Sequence, residues 1–333
     1  MHRHRWARRA ATVWTLVFVV ITALVAAPSA AAATWVVGPT GSARTIAEAI
    51  RNASDGDVIE VQPGHYPGDV AVIHQRRLTI RGTGARPVVS AAGRHAEGKA
   101  IWVIRDGDIT IDNIEFRGAR VPEFNGAAIR LERGRLQVLR CAFFDNEMGV
   151  LTSNDATVEL RVVDSEFGQA PTHPGDLHHL IYVGRIRRFE VTGSRFSQGH
   201  LAHLIKSRAR ESIIVNNHIV DGPRGRAAYE IDLPNAGLAR IEGNTIGQSA
   251  TTDNATLVAY GAEGAHWPDN ALTMRGNTLI SDWAGLAWFV RVWSDRLPSG
   301  TRVELRDNRL IGHGALAAGP GAVLEGNVVQ TRP

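Results

Sequence analysis

The sequence predicts an all-β solenoid, in which short strands stack coil upon coil, and three observations support this prediction. A phrase of apolar strand, polar turn, asparagine and apolar residue recurs from residue 109 to the C-terminus. Its spacing of 19 to 33 residues is typical of a solenoid, whose units bury their apolar faces only against their neighbours. Only one segment has helical periodicity, and no linker or low-complexity stretch interrupts the chain. We therefore expect a single elongated domain.

The first 33 residues are predicted to be a secretory signal peptide and not part of that fold. Four arginines precede a 15-residue apolar run, VWTLVFVVITALVAA, which is followed by the small residues PSAAAA. This layout is typical of a signal peptide cleaved near Ala30 or Ala33. An uncleaved anchor is the alternative, but the run is shorter than the ~20 residues of a membrane span. We expect an exported domain of residues 34–333, in the periplasm or the medium.

Charge and cysteine content narrow the range of partners. Removing the four arginines of the signal peptide from 37 basic residues leaves 33, against 33 acidic residues. The mature chain is therefore neutral, and we expect no nucleic acid partner and no membrane partner after cleavage. Cys141 is the only cysteine, which excludes an intrachain disulfide, and its position in the repeat predicts a small buried side chain. We expect a monomer.

The mature chain is predicted to begin with a strand and a short capping helix over about residues 45–53. Thr45 and Glu48 have the spacing of a capping box, and apolar residues then recur at helical spacing at Ile46, Ala49, Ile50 and Ala53. Such a helix would cover the open end of the first coil and protect its exposed strand edges.

The recurring phrases align into columns. The first column consists mainly of asparagine and small polar residues: Ile114, Cys141, Ser165, Ser194, Asn217, Asn244, Asn277, Asn308 and Asn327. Two residues further on, an apolar column begins with four phenylalanines: Phe116, Phe143, Phe167 and Phe196. Because a buried turn carries backbone groups that must find partners, we interpret the asparagines as structural.

The capping helix with DGDVIEVQPGHY, the coil period and the asparagine column together resemble the pectate-lyase-like superfamily. The resemblance covers essentially the whole mature chain. It implies a single-stranded right-handed parallel β-helix in which stacked asparagines pair with one another inside a turn.

A further column of strands, upstream of each asparagine, contains the candidate site. Since successive strand side chains alternate between the two faces, seven residues are predicted to stack on the outer face: Trp102, Arg130, Tyr182, Lys206, Asp232, Tyr260 and Arg291. Glu230 is predicted to share this face, with His179, His203 and Tyr229 at or near the preceding turn. Aromatic residues alternating with charges suit sugar rings, although a plain solvated face is the alternative.

The segment HLAHLIKSRARESIIVNNHI around Lys206 resembles polysaccharide lyase family six, whose members cleave alginate and chondroitin. Lys206 and Ser207 match its lysine motif, whereas Asp232 stands where the family has an arginine. The resemblance implies β-elimination on a uronic acid, with Lys206 as base. Arg208, Arg210 or Arg130 would neutralise the sugar carboxylate, and Tyr182, Tyr229 or His203 would assist proton transfer. Arg291 and the other aromatic and charged residues of the outer column would contact the polymer.

Three alternatives remain open from the sequence. Lys206 and Asp232 can form a surface ion pair of a non-catalytic polysaccharide-binding, assembly or structural protein. Glu230 and Asp232 have the i, i+2 spacing of a hydrolase carboxylate pair. We expect no cofactor: family six implies calcium, but its acidic ligands are replaced here by His200 and His203. A histidine metal site is a weaker hypothesis, and its candidates are His173, His178, His179, His200 and His203.

Overall fold

The computed structural model of the protein describes residues 32–172 and 178–330. The predicted signal peptide falls almost wholly outside this range and stays a prediction, and His173 also lies outside the described residues. Within these two ranges, no helix has the length and apolar character needed to cross a membrane.

Three long parallel sheets, which we call sheets A, B and C, run along the described chain, and each coil contributes about one strand to each sheet. This arrangement confirms the predicted parallel β-helix. Sheet A has 12 strands: Thr34–Val37, Val58–Val61, Arg77–Gly82, Asp108–Asp112, Arg135–Leu139, Glu159–Val163, Arg188–Thr192, Glu211–Val215, Leu238–Glu242, Ala271–Arg275, Arg302–Arg306 and Val323–Glu325. Sheet B has 11 strands: His65–Pro67, Val88–Ser90, Glu115–Arg117, Ala142–Phe144, Glu166–Gly168, Arg195–Phe196, His218–Val220, Thr245–Gln248, Thr278–Ser281, Arg309–Ile311 and Val328–Gln330.

Sheet C carries the candidate site. It has 10 strands: Ala71–Ile73, Ala100–Ile104, Ala127–Leu131, Met148–Thr152, Ile181–Val183, His203–Ser207, Tyr229–Leu233, Thr256–Tyr260, Ala287–Val292 and Gly314–Ala317. A short 3₁₀ helix follows its ninth strand at Ser294–Arg296.

The helix predicted at the N-terminal end spans Ile46–Asn52 and packs against the first strands of sheets A and C. The Thr45 side chain accepts a hydrogen bond from the Glu48 N–H at 3.1 Å, as the capping box predicts. The Glu48 carboxylate accepts from the Arg44 N–H at 2.9 Å, one residue earlier than the motif requires. The Asp69 carboxylate accepts from the N–H groups of Ile46 and Ala47, so the first turn is also held from the neighbouring coil.

The turn between sheets A and B explains the asparagine column. The residue before each column position has a positive φ, as at Asn216 (56°), Gly243 (65°) and Gly276 (62°). Glycine and asparagine adopt this left-handed conformation more readily than other residues do. The column residue then turns inward and its side chain accepts the backbone N–H of the column residue one coil earlier.

These hydrogen bonds form an unbroken ladder from Cys141 to Asn327. Backbone N–H groups donate to side-chain oxygens at 2.8 to 3.1 Å along the successive column residues Cys141, Ser165, Ser194, Asn217, Asn244, Asn277, Asn308 and Asn327. From Asn217 onward the amide nitrogens also donate to the next amide oxygen at 2.9 to 3.0 Å. The ladder confirms that the asparagines are structural, because they satisfy backbone groups in a buried turn.

Side chains of like kind also stack in the core. The rings of Phe116, Phe143, Phe167 and Phe196 lie nearly parallel, with successive centroids 5.3, 4.5 and 4.9 Å apart. Cys141 is buried beside this stack as predicted, and burial raises the pKa of its thiol to about 12. The thiol is therefore protonated and unreactive at neutral pH.

The strands of sheet C do not follow strict alternation. In His203–Ser207, both Leu204 and Ile205 are fully buried, while His203 and Lys206 reach the surface. The same pattern recurs in Tyr229–Leu233, where Tyr229 and Asp232 lie outside a buried pair. Each strand therefore bends so that two consecutive side chains enter the core, and residues three apart share the outer face.

This bend corrects three placements predicted from alternation. Trp102 pairs with Ile129 and not with Arg130, and it is fully buried against Phe116, with its Nε1–H donating to the Asp69 carbonyl. Tyr260 pairs with Leu233 and is fully buried. Glu230 lies level with Leu204 and is likewise buried. The prediction that these three residues face outward is wrong.

Candidate functional site

The outer column of sheet C contains the remaining predicted residues in register. Tyr182 pairs with Lys206 and Lys206 pairs with Asp232 on successive coils, and Arg291 follows two coils after Asp232. Arg130 stands in the same column two coils before Tyr182. The reversed charge noted in the sequence, Asp232 beside Lys206, is therefore a direct contact in three dimensions.

The carboxylate of Asp232 joins two candidate proton-transfer groups. Its Oδ2 lies 3.4 Å from the Lys206 Nζ and 3.3 Å from the His203 Nε2. The side chain of Asp232 is only 4% exposed, and those of Lys206 and His203 are 14% and 13% exposed. Because little water screens these groups, their interactions are stronger than those of a surface pair.

Arg208 organises the other half of the site. Its guanidinium donates to the Tyr182 hydroxyl at 3.1 Å, to the Asn235 Oδ1 at 2.6 Å, and to both carboxylate oxygens of Glu263 at 2.5 and 2.8 Å. Burial alone would lower the pKa of Arg208, but the hydrogen bonds with Glu263 and Tyr182 outweigh it, so that pKa is raised. The same contact lowers the pKa of Glu263. Both partners are therefore charged at neutral pH.

Aromatic rings continue the site along sheet C. The centroid of the His179 ring lies 5.2 Å from that of Tyr182 and 4.8 Å from that of His203, which lies 4.7 Å from Tyr229. Burial, followed by the positive charges nearby, holds the pKa of His179 well below its usual value. His179 is thus neutral at neutral pH. Burial, and then the charge of Asp232, raises the pKa of Tyr229, which keeps its phenol protonated.

Three predicted arginines lie apart from this cluster. Arg130 lies 3.4 Å from Glu132. Arg210 pairs with Asp269 at 2.7 Å, and the side chains of these two residues are about half exposed. Arg291 lies over the Trp293 ring at 4.7 Å. The candidates for neutralising a sugar carboxylate were Arg208, Arg210 and Arg130. Of these, only Arg208 contacts both Tyr182 and Glu263.

The structure removes the carboxylate pair of the hydrolase hypothesis. Asp232 lies on the outer face of sheet C, whereas Glu230 lies in the interior, where neither of its oxygens is hydrogen-bonded to another described residue. Burial, and then the charge of Asp221, raises the pKa of Glu230 well above its usual value. The two carboxyl groups therefore cannot flank one glycosidic bond.

Sequence reasoning missed the loop over residues 261–270, which joins sheet C to sheet A after Tyr260. Its Glu263 binds Arg208, and its Trp267 Nε1–H donates to the Arg208 carbonyl at 3.0 Å. These two contacts join Arg208 to residues 55 and 59 positions further along the chain, which lie in a loop without strand periodicity. The repeat carries no signal for them.

Among the described residues, the candidate histidines are not gathered into a metal centre. Within residues 32–172 and 178–330, no group of three or more histidine, cysteine, aspartate or glutamate side chains has the geometry to hold a metal ion. His179 and His203 are close, but their rings stack and the His179 Nδ1 accepts the backbone N–H of His203 at 3.2 Å.

Comparisons with known proteins yield only remote similarities. No protein-family model and no curated protein matches the chain. Among solved structures, it is similar to a PL6 alginate lyase in complex with a trisaccharide (15% identity, TM-score 0.49, covering 79% of this chain and 55% of that one). It is also similar to ORF18 of Geobacillus virus E2 (11%, 0.45, 84% and 54%).

A third similar structure is the catalytic unit of a GH87 α-1,3-glucanase from Streptomyces thermodiastaticus strain HF3-3 (14% identity, TM-score 0.30, covering 85% of this chain and 65% of that one). The chain thus spans less than two thirds of each of the three chains. At these identities and scores, the fold rests on the strand pairing, and any function rests on the residues of the site.

Proposed function

We propose that this protein is an exported enzyme that binds an acidic polysaccharide along the outer face of sheet C and cleaves it by β-elimination. The observation that carries the proposal is the contact of Lys206 with Asp232, flanked by the Tyr182 hydroxyl on the preceding coil. This arrangement brings together an amine, a carboxylate and a phenol in a partly buried groove on neighbouring coils.

The elimination requires a base, an acid and a group that stabilises the carboxylate next to the acidic proton. The base removes the C5 proton, the C–H electrons form a C4–C5 double bond, and the C4–O bond breaks. The leaving oxygen then takes a proton. Each transfer needs a side chain positioned within hydrogen-bonding reach of its target.

Lys206 is the proposed base. When its ammonium proton rests on Asp232, 3.4 Å away, a neutral amine and a neutral carboxylic acid remain. Asp232 would thus replace the positive charge that the resembling lyases place here with a group that accepts the proton of the base.

Tyr182 is the proposed acid. Its oxygen already accepts a hydrogen bond from Arg208 Nε at 3.1 Å, which leaves its own O–H proton to donate. The cations of Lys206 and Arg208 lie 5.8 and 5.9 Å from the centre of the Tyr182 ring, and both would stabilise the phenolate formed after transfer. The rings of His179, His203 and Tyr229 would form the platform for neighbouring sugars.

A non-catalytic polysaccharide-binding protein is the second candidate, and a specific observation favours it. Lys206 and Arg208 each contact a carboxylate of the chain itself, Asp232 and Glu263. The four groups sum to no net charge, as in a structural ion-pair network.

The two candidates differ in their product. Purified protein is incubated with alginate, pectate and glycosaminoglycans, and the ultraviolet absorbance of unsaturated uronates is followed. The elimination predicts rising absorbance, and Lys206→Ala should reduce its rate by about 10²–10⁴-fold. Lys99→Ala is the matched control, because Lys99 is the only other lysine and pairs with Glu132 away from the site. Retention on a polymer without new absorbance would instead support the binding protein.

A further inference from the structure

The Glu263 carboxylate occupies the space between the two cations of the site. It makes a bidentate contact with Arg208 at 2.5 and 2.8 Å, and its Oε1 lies 3.9 Å from the Lys206 Nζ. A planar guanidinium that meets both oxygens of one carboxylate is the geometry by which arginine recognises carboxylate ligands in general.

The two sides of this contact differ in how firmly they are held. The side chains of Arg208 and Lys206 are 17% and 14% exposed, whereas that of Glu263 is 47% exposed. Arg208 is also fixed by Tyr182 and Asn235, while the hydrogen bonds of the Glu263 side chain to described residues all go to Arg208. The cations therefore belong to the rigid wall of the groove, and the carboxylate approaches from the solvent side.

We infer that Arg208 and Lys206 form a subsite for a ligand carboxylate, that Glu263 fills this subsite in the unliganded protein, and that an acidic sugar binds by displacing Glu263. The inference rests on the proposed function and assigns its specificity. Exchanging one carboxylate for another keeps both cations paired in either state, so the exchange avoids the cost of leaving a buried charge without a partner.

The same exchange would select against neutral sugars. A hydroxyl group that displaced Glu263 would leave Arg208 without a counter-charge, and Lys206 with Asp232 alone, in a partly buried site, which is unfavourable. The two cations therefore set the selectivity of the subsite for acidic ligands, and Glu263 keeps the subsite filled until such a ligand displaces it. Glu263 also weakens the apparent affinity for acidic ligands, because the subsite is open only in a fraction of molecules.

The test is a titration of the purified protein with free glucuronate, followed by calorimetry and by the NMR signal of the Arg208 Nε–H. Glu263→Gln keeps the shape of the side chain and removes its charge. If Glu263 fills the subsite about nine-tenths of the time, this variant should bind glucuronate about tenfold more tightly than the wild type. Glucose should bind equally weakly to both proteins.

Asp269→Asn is the matched control. Asp269 lies on the same loop, is similarly exposed, and pairs with Arg210 outside the subsite. The substitution Asp269→Asn therefore removes one negative charge from the same region without opening the subsite. The affinity of this variant for glucuronate should equal that of the wild type.

Two outcomes would overturn the inference: glucuronate binding to Glu263→Gln that is no tighter than to the wild type, or an equal gain in Asp269→Asn. The absorbance assay with polymers decides the proposed function separately. A wild-type protein that neither cleaves nor retains any polymer would refute that function, whereas the glucuronate titration would still decide whether Glu263 fills a carboxylate subsite. Thermal unfolding of both variants checks that the loop substitution leaves the solenoid folded.

Discussion

The buried carboxyl group of Glu230 should make the stability of the protein depend on pH in a specific way. Glu230 is fully buried, and within residues 32–172 and 178–330 neither of its oxygens is hydrogen-bonded to another residue. Burial and the nearby charge of Asp221 raise its pKa well above the usual value in the folded state. In the unfolded chain the same group loses its proton near pH 4.3.

The sign of the effect follows from the number of protons bound in each state. Above about pH 4.3 the unfolded chain releases the Glu230 proton while the folded protein keeps it, so rising pH favours unfolding. The contribution of Glu230 to the free energy of unfolding should fall by ~1.4 kcal/mol per pH unit until the pH passes the raised pKa of Glu230 in the fold. Below about pH 4.3 both states are protonated and the contribution of Glu230 is constant.

Glu230→Gln isolates this contribution, because glutamine has nearly the same shape and no proton to lose. Urea unfolding at a series of pH values measures the free energy of both proteins, with equal m-values as the check of comparability. We expect the free energies of unfolding of the wild type and the variant to agree within ~1 kcal/mol at pH 4. Between about pH 4.3 and the raised pKa of Glu230, the free energy of unfolding of the variant should then exceed that of the wild type by a further ~1.4 kcal/mol for each pH unit.

Asp221, whose charge helps to raise the pKa of Glu230, provides a second test of the same pH dependence. Burial raises its pKa to about 6, although the N–H groups of Gly199 and Ala227 donate to it and favour its charged form. Its contribution has the same sign as that of Glu230 but ends at about pH 6, so Asp221→Asn should remove a part of the slope below that pH. It should also lower the pH at which the Glu230 contribution ends, because the charge of Asp221 helps to raise the pKa of Glu230. Equal pH slopes in the wild type and Glu230→Gln would refute the reasoning, since they would mean that Glu230 is ionised in the fold.

Three further substitutions test the ladder, the core and the site. Asn244→Ala breaks the ladder where one amide bridges two coils, and thermal unfolding should show a loss of ~2–4 kcal/mol; a loss below ~0.5 kcal/mol would contradict a structural role. Trp102→Phe removes the hydrogen bond to Asp69 and should cost ~1–2 kcal/mol, with unchanged polymer binding; altered binding would place Trp102 in the groove after all. Asp232→Asn leaves Lys206 without its proton acceptor and should lower the elimination rate by at least ~10²-fold, with initial rates as the measurement and an unchanged rate as the contrary result.

The repeat made the fold predictable because solenoid contacts connect equivalent positions of consecutive coils. A residue such as Asn244 meets the same kind of neighbour on both sides, so the column that forms the ladder is visible in the sequence itself. The stacking of Phe143 on Phe167 follows from the same register. Local signals sufficed for the capping helix, since Thr45 and Glu48 lie within one turn of each other.

The candidate site was predictable only in part. The register correctly placed Lys206 beside Tyr182 and Asp232, but simple alternation failed wherever the sheet C strands bend. The bend puts two consecutive side chains into the core, which moved Glu230 from the groove to the interior.

The sequence by itself determined the stacking of coils, the structural role of the asparagines and the candidate lysine, because these depend on contacts repeated at a fixed period. Only the tertiary structure decided which charges meet outside that register. Glu263 reaches Arg208 across 55 residues through a loop outside the repeat, and Asp232 holds both His203 and Lys206 in one buried contact. Such contacts depend on how a loop folds back over a sheet face, and a periodic pattern carries no information about that path.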